Sequence, residues 1–267
     1  MTPVKLLVLP GFLGTRRDFD GWTADLRRAL AERGFAEFED VRVMAVCQDE
    51  FLAPMGSWSD WNRKVLLEIE NWKGSSDLYA VGYSLGGRLL LSLHAARPDL
   101  FAKLVFLSVN PGLRDPDDPS LSLQDVGRAE LERVTRKTND EIWGQRFFEA
   151  PWEPLINEWQ TQPVFRDSVH EPERLENDYD RAVLARVLTT FSLADQPDFR
   201  NWIRRSQTEQ LWLAGEKDPK FVGFVQELID SKFEHIKGGI VPKASHRIFL
   251  DNPRFTSRRV AEFFQPS

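Results

Sequence analysis

The stretch LYAVGYSLGGRLLLSL, Leu78 to Leu93, decides the fold. Its first four residues are apolar in the manner of a buried strand. Gly82-Tyr83-Ser84-Leu85-Gly86 then breaks the run, and from Arg88 the apolar residues return at helical spacing. A serine flanked by glycines at such a corner is either a plain turn or a nucleophile held up for attack. Glycine and serine are both common, so the five-residue pattern means little without its context. Here the context is strand, tight turn and helix, the setting that raises a serine hydroxyl above the end of a sheet. Gly82, Gly86 and Gly87 leave out the Cβ atoms that would hold strand and helix apart. The start of the following helix places backbone N–H groups and a partial positive charge beside Ser84.

The rest of the chain repeats the strand and helix alternation on either side of this corner. Short apolar runs occur at Val4–Leu9, Val41–Val46, Leu78–Val81, Leu104–Ser108, Gln210–Ala214 and, less regularly, Phe233–Ile240. Between most of them lie helical spacings at Trp22–Arg33, Trp61–Trp72, Arg88–Ala96 and Phe221–Ile229. That order predicts an α/β fold, a mostly parallel sheet flanked by helices. The alternation stops between about Arg114 and Arg205, where the sequence is charged, tryptophan-rich and helical throughout. The expected organisation is therefore a core of residues 1–113 and 206–267 with a helical cap insertion of residues 114–205. RDPDDPS at Arg114–Ser120 is the expected hinge, and the cap should lie over the carboxyl edge of the sheet, where open α/β sheets place their sites.

Composition narrows the function classes. With 35 basic and 41 acidic residues among 267, the net charge of −6 argues against nucleic acid or an acidic membrane as the main partner. An anionic small molecule would instead need a local cluster of arginines. Cys47 is the only cysteine, so no intrachain disulfide can form and a reducing, cytoplasmic setting is expected, with Cys47 a small buried residue at a strand end. MTPVKLLVLPGF has neither a basic start nor a long apolar stretch, and no run reaches the length of a membrane span. A soluble protein with no membrane insertion follows; the sequence fixes no oligomeric state.

A serine alcohol is a weak nucleophile at neutral pH and needs a base that is itself oriented by a carboxylate. On parallel sheets with such a corner the chain order is serine, acid, histidine. Of four histidines, His94 belongs to the helix after the corner, His170 to the cap and His235 to the last strand-like run. His246 follows that run in the loop VPKASHRIFLDNP, from which a base can reach Ser84. The acid should follow the penultimate strand, and LWLAGEKDPKF supplies Asp218, with Glu216 as its rival. The alternative position, after the preceding strand, holds Asn110. Two backbone donors should face the charge that develops in a reaction: the N–H of Leu85, and the N–H of Phe12 in the loop LPGFLG.

With these residues in place the sequence resembles the α/β-hydrolase superfamily and, more narrowly, the 2-succinyl-6-hydroxy-2,4-cyclohexadiene-1-carboxylate synthase family of menaquinone biosynthesis. The narrower resemblance spans most of the chain. It rests on GFLG at Gly11–Gly14, GYSLGGR at Gly82–Arg88, NPGL at Asn110–Leu113, Arg136 and Asp140, and WGQRFF at Trp143–Phe148. It continues in W-x-x-Q-P-V-F at Trp159–Phe165, SLADQPD at Ser192–Asp198 and GEKDPKF at Gly215–Phe221. The resemblance implies a lyase on a hydrolase scaffold, using no metal or organic cofactor, that eliminates pyruvate from 2-succinyl-5-enolpyruvyl-6-hydroxy-3-cyclohexene-1-carboxylate. It implies that Ser84, activated by His246 and Asp218, removes a ring proton while Phe12 and Leu85 stabilise the charge. It further implies that Arg88 and Arg136 bind carboxylates of a small polyanionic substrate, with Tyr83, Trp159 and Phe165 lining the pocket; planar guanidinium forks suit carboxylates better than ammonium groups.

Two departures stand out. Pro10 replaces the usual histidine before Gly11, and Glu176 falls where the family has a further cap arginine, with Arg174 and Arg181 close by. A carboxylate facing an anion pocket would repel its ligand. Two other readings use the same residues: a serine hydrolase of esters, thioesters or carbon–carbon bonds, and a noncatalytic binding protein on this scaffold.

Overall fold

The computed structural model describes residues 2–35, 37–54 and 56–265. Met1 and Ser267, the outer limits of the expected division into core and cap, lie outside the described residues. In chain order the core begins with β1 (Val4–Leu9), α1 (Asp20–Ala31), β2 (Asp40–Val43), α2 (Trp58–Lys73), β3 (Asp77–Tyr83), α3 (Leu85–Ala96) and β4 (Lys103–Leu107). There follow α4 (Leu123–Glu149), α5 (Trp152–Gln160), α6 (Arg181–Thr190) and α7 (Arg200–Arg205). The chain then returns through β5 (Glu209–Gly215), α8 (Pro219–Asp230), β6 (Ile236–Val241), α9 (Ile248–Asp251) and α10 (Pro253–Phe264).

The six strands form one parallel sheet in the order β2-β1-β3-β4-β5-β6. Crossovers cover both faces, which explains why the central strands are apolar at consecutive residues: β4 is buried from end to end. On one face α1 and α10 close over Leu6, Val8, Val81 and Leu213. On the other, α2, α3 and α8 pack on Leu7, Ala80, Phe106 and Trp212, and this cluster continues without a break into Phe147, Leu155, Leu184 and Phe191. The helical segment between β4 and β5 is thus an outgrowth of one half of the core.

Strand order reverses between β1 and β3, so the loops leaving their carboxyl ends diverge and open a crevice. The loop after β1 carries Phe12 and that after β3 carries Ser84. Among the strands, two boundaries shift by three residues: β2 ends at Val43 rather than Val46, and β6 starts at Ile236 rather than Phe233. β2 is an edge strand paired only with β1, and its ladder ends where β1 turns away. Cys47 consequently sits in the turn beyond β2, fully buried, and burial pushes its thiol up to about 12.

Candidate active site

The corner at Ser84 is a strained one. Ser84 has φ 48° and ψ −115°, a region that a residue with a Cβ rarely occupies, and it is held there between β3 and the first turn of α3. The glycines make the turn possible by close approach. A Cβ on Gly86 would lie 2.0 Å from the carbonyl oxygen of Leu9 in β1, and one on Gly82 would lie 2.4 Å from Cα of Gly87. Leu85 opens α3, so its N–H is one of the first-turn groups that have no acceptor within the helix.

His246 and Asp218 reach this serine from the loops after β6 and β5. His246 Nδ1 donates to Asp218 Oδ2 at 2.9 Å, and its Nε2 lies 3.1 Å from Ser84 Oγ. A carboxylate can only accept, so the ring proton belongs on Nδ1 and Nε2 is left to accept from the serine hydroxyl. Both groups are buried, at 2% and 6% exposure. Pro219 fixes the first helical position of α8 directly after Asp218. The rival Glu216 is exposed and accepts from the backbone N–H of Lys243. The loop carrying His246 is pinned where the N–H of Ser245 donates to Asp251 Oδ2 at 2.8 Å. The other histidines are engaged elsewhere: His94 with Ser206, His235 with the carbonyl of Ile203, and His170 through its own carbonyl with Arg247.

Above Ser84 lies a cavity of about 330 Å³. Phe12, Tyr83, Ser84, Leu85 and His246 form its floor, and the segment from β4 to β5 supplies Arg136, Trp159, Phe165 and Phe191. Every site residue expected from the sequence lines it except Asp218, which stands behind His246. The walls hold three cationic side chains, Arg88, Arg136 and Lys220, and no carboxylate.

Arg88, one turn into α3, is 7% exposed, and its Nε donates to Gln196 Oε1 at 2.6 Å while a terminal nitrogen reaches the carbonyl of Phe191. Burial first, and the like charge of Arg136 second, bring its guanidinium down to about 9. Its hydrogen-bond partners are neutral, so the charge is not cancelled at short range. Arg136 donates from Nε to Asp140 Oδ2 at 2.7 Å, the only acceptor it has among the described residues, which leaves its two terminal nitrogens open. Asp140 is buried and also accepts from Ser192 Oγ at 2.8 Å, so its role is to aim Arg136 from behind. Trp159 packs edge to face or tilted against Trp143, Phe147 and Phe12, with centroids 4.9 to 5.3 Å apart. Tyr83, Phe165 and Phe221 surround the His246 ring at 5.5, 5.7 and 4.5 Å.

Of the two departures, Glu176 lies outside the cavity. It is exposed and pairs with Arg181 at 2.9 Å, so its carboxylate is not turned into the cavity. Pro10 is buried in the loop after β1, whose turn closes through Gly14 N–H to the carbonyl of Gly11 at 2.9 Å, and Phe12 still reaches the cavity. Sequence reasoning assigned no role to Lys220, Gln162 or Gln196. All three stand inside the motifs GEKDPKF, W-x-x-Q-P-V-F and SLADQPD, and that placement was the available signal.

The chain matches the alpha/beta hydrolase family over residues 6–259. Among curated proteins it is similar to the 2-succinyl-6-hydroxy-2,4-cyclohexadiene-1-carboxylate synthase of Enterobacter sp. (strain 638), 29% identical over 192 residues. That match covers 70% of this chain and 66% of the relative, so it spans just under two thirds of the relative's length. Among solved structures it is similar to MenH from S. aureus, with a TM-score of 0.78, 18% identity and coverage of 98% of this chain and 94% of that one. A thermophilic esterase from Thermogutta terrifontis, solved with malate bound, gives a TM-score of 0.66 at 14% identity, covering 98% of this chain and 89% of that one. At such identities the structural likeness is one of fold.

Proposed function

The chain belongs to the alpha/beta hydrolase family, and from that premise we propose that it is a cytoplasmic lyase that eliminates pyruvate from 2-succinyl-5-enolpyruvyl-6-hydroxy-3-cyclohexene-1-carboxylate. The observation that carries this reading is the wall of the cavity: Arg88, Arg136 and Lys220 line it with no carboxylate among them, above a serine within hydrogen-bond reach of a histidine. A substrate with several carboxylates fits such a wall. The likeness to the Enterobacter synthase supports the same assignment.

In this reading His246 takes the hydroxyl proton of Ser84, and Ser84 in turn takes a proton from the substrate ring. The electron pair released from that C–H bond moves through the ring and breaks the ring C–O bond, so the enolpyruvyl group leaves as an enolate; a proton returned from the charged His246 converts it to pyruvate and restores the base. Asp218 holds His246 in the tautomer that can accept and stabilises it once charged. The N–H groups of Phe12 and Leu85 meet the negative charge that develops on the ketone oxygen of the succinyl arm as the neighbouring ring proton departs. One such donor contributes about 3 to 4 kcal/mol in a dry site. Arg136, aimed by Asp140, and Arg88, held by Gln196, grip carboxylates of the substrate. The core of residues 1–113 and 206–267 thus provides the chemistry together with Arg88 and Lys220, and the cap of residues 114–205 adds Arg136 and the aromatic wall.

The test is pyruvate release from fresh precursor, made in place from isochorismate and 2-oxoglutarate, with an aryl ester as a parallel substrate. Release well above the spontaneous rate that disappears in Ser84→Ala supports the lyase. Ester cleavage dependent on Ser84, with the precursor untouched, overturns it in favour of a serine hydrolase. Inertness towards both would leave a binding protein.

A further inference from the structure

Beside the main cavity lies an annex of about 30 Å³, the share of roughly one water molecule in the liquid. The two spaces have Phe12, Tyr83, Trp159 and Phe165 in common, so these four rings are the partition between them. Two further arginines line the annex, Arg174 and Arg247. Arg174 is satisfied: its two terminal nitrogens donate to both oxygens of Asp18, at 2.9 and 2.7 Å.

Arg247 is not. It is 7% exposed, it follows His246 directly, and its guanidinium lies 4.1 Å from the centroid of the Phe165 ring. Its one hydrogen bond is a long contact from Nη1 to the carbonyl of His170 at 3.5 Å, and among the described residues no carboxylate comes within 4.0 Å of it. Asp251 is already taken, accepting from the N–H groups of Val169 and Ser245, and Glu171 is exposed to water. Burying a guanidinium without a carboxylate costs several kcal/mol, and an anion supplied from outside is the natural relief. Burial also lowers the affinity of this group for its proton, which an anion beside it would restore.

We propose that Arg247 is a carboxylate anchor: one acidic arm of the substrate passes Phe165 and ends in the annex, on the guanidinium fork of Arg247, while Arg88 and Arg136 hold the remaining carboxylates. This rests on the reading of the substrate as a polycarboxylate. Phe165 sits in the irregular segment after α5, where its ring can turn aside without unmaking a helix. The pairing places a fixed positive charge one residue from the base, so it selects for an anionic arm of set length.

Calorimetric titration with free succinate tests this on wild type, Arg247→Gln and Arg247→Lys, beside kcat and KM for pyruvate release. A lost charge-assisted pair predicts succinate binding weaker by about tenfold or more in Arg247→Gln, with part recovered in Arg247→Lys. KM should rise by a similar factor while kcat changes less than about threefold. Affinities equal within twofold, or no uptake of succinate by wild type, overturn the proposal; a fall in kcat alone would make Arg247 a support for Phe165 and His246 and overturn it too. If Arg247→Gln does not fold, Arg247→Lys, which keeps the charge and loses the fork, must still bind more weakly than wild type. Succinate binding that depends on Arg247 in a protein releasing no pyruvate keeps the annex and rejects the lyase. Pyruvate release with succinate binding indifferent to Arg247 does the reverse.

Discussion

Asp218 has one neighbour that matters to the reaction, His246 Nδ1, and Asp218→Asn tests that dependence directly. An amide can present its NH₂ group to the ring and turn the accepting nitrogen away from Ser84; if the chain is the proposed lyase, its pyruvate release should fall by about 10³ to 10⁴ with little change in KM. Arg136→Ala removes a fork whose terminal nitrogens are open to the cavity, so KM should rise by about ten- to a hundredfold. A rise in KM below twofold would show that Arg136 serves only Asp140. His94 makes a prediction unrelated to activity. It is fully buried on α3 between Trp202 and Phe101, and burial holds its imidazole at about 4 against an ordinary 6.5. Below pH 6.5 the unfolded chain takes up a proton that the folded one refuses. The stability given by the neutral ring is therefore full above pH 6.5 and is lost as the pH falls towards 4, by about 3 kcal/mol. Urea unfolding at pH 7 and pH 4.5 should show His94→Gln losing less stability on acidification than wild type does.

At the scale of the element, α3 has no room to move. Gly86→Ala would drive a methyl group into the carbonyl of Leu9, forcing apart the two loops that hold Phe12 and Ser84. The expected outcome is a loss of at least about 3 kcal/mol, or failure to accumulate folded protein. Gly223, exposed in the middle of α8 with nothing within 4 Å of its missing Cβ, is the opposite case. Gly223→Ala should stabilise by about 0.5 to 1 kcal/mol, read as a higher urea midpoint at unchanged slope. The contrast separates glycines kept for close approach from one that packing does not require. It also shows why the strand-turn-helix spacing could be read from the sequence, while the identity of the backbone that Gly86 abuts could not.

For the molecule as a whole, a buried ion pair braces the joint between the helical segment and the sheet beside their shared apolar core. Asp18, in the loop after β1, binds Arg174 through both oxygens and also accepts from the N–H and the hydroxyl of Thr15. Asp18→Ala strands a buried guanidinium and should cost about 3 to 5 kcal/mol. Removing the nearby exposed partner Arg17, which pairs with Asp178, should cost less than about 1 kcal/mol. Equal losses in the two variants would show that the Asp18–Arg174 pair is not what joins these segments.

The sequence by itself determined the parallel sheet and the corner at Ser84, and it named Asp218 and His246 as the side chains that meet Ser84. Those features are written in short-range periodicity and in residue types that few local conformations accept. It also pointed to Arg88 and Arg136 through motifs that packing does not demand. Only the tertiary structure decided that Glu176 faces Arg181 and water rather than the cavity, that Gln196 holds Arg88, and that Arg247 is buried beside the site without a carboxylate. Glu176 and Arg181 are five residues apart, yet which way that pair faces is set by the packing of the segment around it, and the other two outcomes depend on contacts across more than seventy residues of chain. Charge and burial at such meetings are set by the packing of distant segments, and no local pattern encodes them.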